Sequence, residues 1–388
     1  MSSTILFVDD HNILYCSGTR RVLNSPIRHD ANPLITPDRP WETAIAWTSV
    51  CRNYLTGKYQ LWYQSFAGDR ADNSTHRCVV CYAESDDGIH FIKPNLNLFN
   101  FNKIKDTNIV LIGNGGHSLR YANSVIIDSK EKDPNRRYKM AYFDFAQDKK
   151  NEYPGLCVAF SADGIRWEKY SRAPLLKSSY GSYGQAVPFD SDLDQPWDVP
   201  LSMSDAVDVI YDPRRKVYAL YGKMWIDGPD GGMYWKHGMG RTESENFVDW
   251  ETPELLCVPD ESDPSHVEFH TSPVFFYQDV YFCLNQILNR DVQGGVIDIE
   301  LGISRDGINW HRPFRSHFFL SRSGHDQFDG GSIFTNSTPV ILDDEIRFYY
   351  GALRKGLRTL PFKATGWSIM KFPVFCIPQR TVRWMPRI

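Results

Sequence analysis

Ser85-Asp86-Asp87-Gly88-Ile89-His90-Phe91 returns as Ser161-Ala162-Asp163-Gly164-Ile165-Arg166-Trp167 and again as Ser304-Arg305-Asp306-Gly307-Ile308-Asn309-Trp310. A worn fourth copy runs from Ser244 to Trp250. Each copy closes a block of β-like runs. Asp-Gly is a favoured two-residue hairpin turn because both central residues must tolerate positive φ, and the aromatic three residues later can fold back onto a sheet. Each phrase is therefore expected to mark a hairpin. Self-similarity at a pitch of roughly 60 to 85 residues points to a radial or stacked repeat.

Outward from these phrases the chain alternates with a period of two and shows almost no helical periodicity, so it reads as all-β. Block one holds runs at 45–52, 59–66 and 78–85; block two at 122–128, 137–144 and 155–161; block three at 206–212, 217–225 and 233–241. Block four has 271–278, 280–286 and 298–304, and block five 332–342, 345–352 and 366–372. A lone sheet with an apolar face is not stable in water, whereas a ring of such sheets buries every face. The expectation is one five-bladed β-propeller domain over residues 1–388, with blades near 38–95, 117–175, 203–256, 266–315 and 328–375. Ile5-Leu6-Phe7-Val8, within segment 4–10, is available as a strand to close the ring. Residues 178–200, rich in Gly, Asp and Pro, read as a loop between blades two and three rather than a domain boundary.

Composition excludes several classes. Aromatics at 14% and charged residues at 23% give a normal globular balance, which argues against disorder. The net charge is −4 with dispersed Lys and Arg, so no basic stripe is present to neutralise phosphates, and nucleic acid is not an expected partner. No apolar run approaches the roughly 20 residues that span a bilayer, and Met1-Ser2-Ser3-Thr4 lacks the order of a signal peptide. A cytoplasmic protein with no membrane partner is expected. The eight cysteines lie mostly in apolar runs and read as small buried hydrophobes, and an odd separation sends the Cys78 and Cys81 side chains to opposite faces of a strand. No close-spaced zinc set and no Gly-rich phosphate loop stand in the chain, and Asp190-Ser191-Asp192-Leu193-Asp194 lacks the glycine and terminal glutamate of a calcium loop. Neither metal nor cofactor is expected.

Four phrases carry a family resemblance: Tyr59-Gln60-Leu61-Trp62-Tyr63, Arg137-Tyr138-Lys139-Met140-Ala141-Tyr142 after Asp133-Pro134, the Ser161 to Trp167 turn, and Ile346-Arg347-Phe348-Tyr349-Tyr350-Gly351. Over residues 38 to 372 the chain resembles the five-bladed propeller glycosidases related to glycoside hydrolase families 32 and 43. The invertase Trp-Met/Leu-Asn-Asp-Pro phrase with its catalytic aspartate, the Arg-Asp-Pro phrase and the C-terminal β-sandwich are not found. Sialidases share similar turn phrases, but their six blades and arginine triad are not visible. The resemblance implies a divergent relative that acts on carbohydrate.

In such propellers the first strand of each blade lines a central channel, so polar residues at those strand starts converge. Glycoside hydrolysis needs one carboxylic acid to protonate the departing oxygen and one carboxylate as nucleophile or base. Glu42, beside Trp41, is the candidate of blade one. Blade two offers His117, Arg120 and Asn123 but no inner carboxylate. Blade three offers Asp205, with Asp208 and Asp212 on the other face. Blade four offers Glu268 and His270 on one face, a reasonable acid or base pair. Blade five offers Asp329 before a glycine pair.

Glu42, Asp205 and Glu268 are the expected catalytic set, with Glu42 or Asp205 as base or nucleophile and Glu268 as general acid, its pKa raised by burial. Trp41, His117, Arg120, Asn123, Asp208, His270 and Asp329 are the expected substrate contacts, and Trp47, Trp225 and Trp235 are further rings on which a sugar could stack. The leading reading is a hydrolase of a small oligosaccharide or furanoside, with a non-catalytic carbohydrate-binding propeller as the alternative and an interaction scaffold as a third class.

Overall fold

A computed structural model describes residues 6–18, 20–114, 122–147, 152–177, 203–226, 236–292, 295–315, 317–355 and 374–379. The chain is all-β, built from antiparallel sheets in sequence order. The first comprises β1 Ala44–Arg52, β2 Tyr59–Phe66, β3 Cys78–Ser85 and β4 Ile109–Ile112. The second comprises β5 Ser124–Ile127, β6 Tyr138–Gln147, β7 Glu152–Ser161, β8 Glu168–Lys169 and β9 Leu176–Lys177. The third comprises β10 Met203–Asp212, β11 Val217–Ile226, β12 Lys236–Ser244 and β13 Glu254–Cys257.

A nine-stranded sheet completes the set. Its first meander is β14 Val267–Phe269, β15 Val274–Tyr277, β16 Val280–Asn289, β17 Val296–Ser304 and β18 Trp310–His311. Its second is β19 Ser332–Phe334, β20 Val340–Ile341, β21 Ile346–Leu353 and β22 Val374–Gln379, joined to the first by one parallel pairing of Ile297 with Ser332. Every residue of β2 and of β17 is buried, so both faces of these strands are covered by neighbouring structure.

The repeated phrase does not form the two-residue hairpin turn expected of it. Only the glycines take positive φ, +74° at Gly88 and +76° at Gly164 and Gly307. The aspartate works through its side chain: Asp87 accepts from the Ile89 and His90 N–H groups at 2.8 Å, while the Ser85 hydroxyl accepts from Gly88 N at 2.9 Å. The same bonds recur around Ser161 and Asp163 and around Ser304 and Asp306. In the worn copy Asn246 replaces the aspartate and Phe247, at φ +69°, replaces the glycine.

Each phrase glycine lies against the preceding sheet. Gly88 O accepts from Tyr349 Oη at 2.9 Å, Gly164 O from Trp62 Nε1 at 2.6 Å and Gly307 O from Tyr221 Oη at 2.9 Å. A Cβ on Gly164 would stand 2.6 Å from the Trp62 ring. Trp62 lies three residues after Tyr59 and Tyr221 three after Tyr218, and the matching position of the second sheet, three after Tyr138, is Ala141. Ala141 and Phe247 belong to one buried cluster. Where the preceding sheet offers a small side chain, the turn supplies the ring.

At four junctions between neighbouring meanders a side chain of one receives a backbone N–H of the other. Ser49 Oγ accepts from Val125 N at 3.0 Å and Ser124 Oγ from Val209 N at 3.0 Å. β15 lies beside β10, Val274 N donates to Ser337 Oγ at 3.1 Å, and Val50 N donates to Thr338 Oγ1 at 3.1 Å. Asp208 Oδ1 accepts from Ser337 N at 3.1 Å, which reaches across the belt from the third sheet to the second meander of the large sheet. The belt thus returns to its first strand. Beyond it, at the strand ends, opens a cavity of about 1030 Å³ whose lining includes Arg52, Tyr54, Lys130, Tyr211, Phe276 and Ile341.

Three local expectations change. Residues 6–10 form no strand: Leu6 and Val8 pack on the core, and Asp9 pairs with Arg305 at 2.6 Å. The strand expected at 366–372 falls outside the described residues, and β22 at Val374–Gln379 pairs with β21. The loop expected at 178–200 also lies outside them. Cys78 and Cys81 are buried free thiols.

Candidate functional site on the axis

At the end away from the large cavity stand the starts of the inner strands, and two of them carry a backbone irregularity. β1 carries a bulge between Ala46 and Thr48, which places Trp47 at φ +38°, and Ala122, likewise two residues before a belt serine, sits at φ +42°. A bulge turns one side chain away from the regular alternation, and such strained positions collect at functional sites.

The Trp47 ring meets His270 of the large sheet's first meander at 6.4 Å between centroids and Phe334 of its second at 5.4 Å. Since β1 and β14 are not neighbours in the belt, this contact joins sheets that do not adjoin. Gln286 gives its amide N–H to Thr335, leaving its oxygen to accept from His270 Nδ1 at 2.9 Å, which makes the His270 Nε2 the acceptor nitrogen.

Trp47 Nε1, both polar atoms of the Asn123 amide and Thr271 Oγ1 are buried without a hydrogen-bond partner among the described residues. Buried polar groups are almost always bonded, because a lost partner costs about 1–3 kcal/mol.

The expected carboxylates do not share a partner. Glu42 is buried and accepts from Tyr63 Oη at 2.6 Å, Lys93 Nζ at 2.7 Å, Asp38 N at 3.0 Å and Arg39 N at 3.2 Å. Glu268 lies between the third and fourth groups of strands, where it accepts from His237 Nδ1 at 2.9 Å, His237 N at 3.2 Å and Arg290 Nε at 2.7 Å, with a second bond from Arg290 Nη2. Burial alone would raise its pKa, but His237 and Arg290 outweigh it and hold the carboxyl at about 2. The general acid expected at Glu268 is corrected on this point: the group is an ionised carboxylate at neutral pH.

Asp208 is the reverse case. Burial pushes it up to about 8 against the backbone and side-chain hydrogen bonds from Ser337, which makes it a neutral acid of the belt at neutral pH. Asp329 is fully buried, accepts from Arg28 Nε at 2.9 Å and Tyr350 Oη at 3.1 Å, and leaves Oδ1 without a partner among the described residues.

Trp41 is not a stacking platform. It is 2% exposed, and its Nε1 donates to Asn108 Oδ1 at 3.0 Å. The Trp225 ring lies tilted against His237, with centroids 3.7 Å apart. Asp205 lies on β10, of which only the backbone is described there, and His117, Arg120 and Trp235 lie outside the described residues. Lys93, His237, Arg290 and Arg28, which govern the carboxylates, carry no motif in the sequence. Among the described residues no group of three or more His, Cys, Asp or Glu could hold a metal ion, and no helix is long and apolar enough to cross a membrane.

No protein-family model and no curated protein matches the chain. Solved structures do. A protein titled glycoside hydrolase is 12% identical with a TM-score of 0.59, covering 94% of this chain and 96% of its own. A thermostable family-43 glycoside hydrolase is 14% identical at TM-score 0.51, covering 91% and 97%. The Bombyx mori GH32 beta-fructofuranosidase BmSUC1 is 11% identical at TM-score 0.50, covering 85% of this chain and 59% of its own. The chain is similar in fold to these glycoside hydrolases of family 32 and 43 type.

Proposed function

We propose that the five meanders are the five blades of one propeller, a single domain over residues 1–388, and that the chain is a glycoside hydrolase acting on a small oligosaccharide or furanoside in a pocket on the axis. The observation that carries the reading is the set of polar atoms of Trp47, Asn123 and Thr271 that are buried without a partner among the described residues. The shared fold, which spans nearly the whole of the family-43 structure, supports it.

Two carboxylates are needed, and they require different protonation states. Glu268, held ionised by Arg290 and His237, takes the role of the negative charge that faces the developing oxocarbenium ion. Asp205, near the start of β10, takes the role of proton donor to the leaving oxygen. Glu42, whose donors Tyr63, Lys93, Asp38 N and Arg39 N all belong to the first blade itself, is assigned to the architecture of that blade. Asn123 is assigned to sugar hydroxyls. A cytoplasmic location belongs to the same proposal.

The test is hydrolysis of a panel of nitrophenyl furanosides and pyranosides by the wild type and by Asp205→Asn, Glu268→Gln and Glu42→Gln. The expected result is a fall of at least ~100-fold in kcat/KM for the first two, the scale of a lost acid or charge partner, with Glu42→Gln costing stability instead. A better leaving group should restore Asp205→Asn selectively. Full activity in Asp205→Asn and Glu268→Gln refutes the assignment, and sugar binding without turnover by the wild type replaces it with the carbohydrate-binding reading.

A further inference from the structure

The cavity of about 1030 Å³ lies at the ends of the inner strands, whereas the residues assigned to the chemistry stand at strand starts, so no step of the proposed reaction uses it. All five meanders contribute to its wall: Tyr54 from the first, Lys130 from the second, Tyr211 from the third, Phe276 from the fourth and Ile341 from the fifth. Every residue of that wall is among the described ones. Pockets that take small molecules enclose roughly 300–1,000 Å³, and this one stands at the upper end of that range.

Two aromatic faces stay open at one concavity, since Tyr54 is 52% and Tyr211 38% exposed. Tyr54 stands on a pinned turn: Asn53 Oδ1 accepts from Leu55 N at 2.9 Å and Thr56 N at 3.1 Å, while Asn53 Nδ2 donates to Tyr138 Oη at 2.7 Å. Tyr211 extends from regular β10, and its ring packs edge-on against Tyr218. Rings held in place before a ligand arrives lose little freedom when one binds. Both phenol hydroxyls lack a hydrogen bond among the described residues, so they are available to ring hydroxyls of a ligand.

Cations stand beside these rings. Lys130 Nζ lies 5.7 Å from the Tyr211 ring centre. Arg52 packs over Tyr59 at 5.8 Å and donates from Nε to Gly57 O at 3.3 Å, on the turn that carries Tyr54. Neither cation has a carboxylate partner among the described residues, and both Arg52 Nη groups are without a hydrogen bond there. The wall's own carboxylate, Asp128, is engaged: it accepts from Tyr218 Oη and Lys130 N, and the buried Lys139 Nζ stands 3.7 Å away. Asp343 and Asp344 follow Ile341 in the chain but do not line the cavity. Two cations without counter-charges beside two open rings complement an anion that carries a hydroxylated ring.

We propose that this cavity is a second, non-catalytic ligand site that takes an anionic sugar: the ring lies against Tyr54 and Tyr211, and its carboxylate or phosphate is held by Arg52 and Lys130. The site goes beyond the hydrolase reading, being decided by binding where that reading is decided by turnover. A carboxylate and a phosphate offer these cations the same oxygens, and the probes separate the two sources.

Isothermal titration calorimetry on the full chain uses glucuronate, glucose 6-phosphate, glucose and benzoate. Binding of at least one charged sugar is expected, weakened by salt, with glucose and benzoate ~10-fold weaker or more. Whichever charged sugar binds more tightly names the source. Arg52→Gln and Lys130→Gln, both at exposed side chains, should each weaken it about 10-fold, and Tyr54→Ala about 5-fold. No binding by either charged sugar overturns the proposal, as does glucose or benzoate binding as tightly, or binding that the Arg52→Gln, Lys130→Gln double variant leaves unchanged. A dimer in analytical ultracentrifugation that Tyr54→Ala dissociates, with no sugar bound, overturns it in favour of a second copy of the chain. Turnover of the nitrophenyl panel should stay within about 2-fold of wild type in the double variant, and a larger fall overturns the non-catalytic assignment. Charged-sugar binding without turnover leaves the site standing and removes the hydrolase reading, and turnover without such binding does the reverse.

Discussion

Replacing Asp208 by Asn removes a charge that the folded chain refuses to carry. Most of the belt around the axis is built from neutral hydroxyls, on Ser49, Ser124, Ser337 and Thr338, whereas the third sheet contributes a carboxyl. Asp208 is 6% exposed, and burial lifts its pKa from 3.8 to about 8. At pH 7 the unfolded chain releases this proton and the folded chain keeps it. Each pH unit between the two values therefore costs the native state about 1.4 kcal/mol, or roughly 4 kcal/mol by pH 7. The Asp208 contribution is fully present below pH 3.8 and is lost as pH rises through about 8.

Asn keeps the oxygen that accepts from Ser337 N and does not ionise, but its amide N–H groups need acceptors, at about 1–3 kcal/mol if none is met. The expected outcome is a variant more stable than wild type by about 1–3 kcal/mol at pH 7.5 and no more stable, or slightly less, at pH 4.5. Urea unfolding at both pH values measures it. A stability difference that does not change with pH, or an Asn variant weakened more at pH 7.5 than at pH 4.5, would show that Asp208 is ionised in the native state and sink the reasoning. Hydrolytic activity should survive the change within a few-fold, since the group lies in the belt. A loss of ~100-fold in a stable variant would move Asp208 into the chemistry.

Three other perturbations follow from the same geometry. Gly164→Ala puts a methyl 2.6 Å from the Trp62 ring at φ +76°, and should cost about 2–4 kcal/mol in chemical denaturation; wild-type stability would show that the turn is free to shift. Phe247→Gly restores the repeat's own residue but empties the space facing Ala141, and should cost about 3–5 kcal/mol. Adding Ala141→Trp to that variant should recover part of the loss while Ala141→Trp alone destabilises, a coupling that a double-mutant cycle reads directly and that strict additivity would refute. Arg290→Gln should raise the Glu268 pKa from about 2. The stability that Glu268 contributes is present above its ordinary 4.5 and lost as pH falls through the folded value, so acid unfolding followed by circular dichroism should begin at higher pH in the variant; an unmoved midpoint means Arg290 does not hold the charge.

Strands were legible because their signals are local. The runs expected at 59–66 and 78–85 coincide with β2 and β3, and the run expected from Ile45 begins one residue earlier, at Ala44. Alternation and turn chemistry lie within a few residues of each strand, and tertiary contacts here reinforce them. The geometry of the turn was less legible, because Asp and Gly side by side suit both a two-residue hairpin and a loop capped by the aspartate side chain, and only the packing of the glycine against Trp62, Tyr221 or Tyr349 selects the second.

The carboxylates illustrate the harder limit. Glu42 and Glu268 stand at strand starts as their positions in the sequence suggest, yet their chemistry is set by Lys93 and Tyr63 in one case and by His237 and Arg290 in the other. Those partners arrive from other turns and strands, so no spacing rule connects them. A similar dependence marks the worn copy of the phrase: Phe247 breaks the pattern and its ring packs against Phe160 and Tyr218 of other strands, in one buried cluster with Ala141. The repeat specifies what every sheet must do, and its departures record what one sheet's neighbour or ligand demands. Trp47 is such a departure. Nothing in Ala46-Trp47-Thr48 announces a bulge, but the extra residue carries the indole out of the regular alternation and against His270 and Phe334, contacts that no spacing within its own strand encodes.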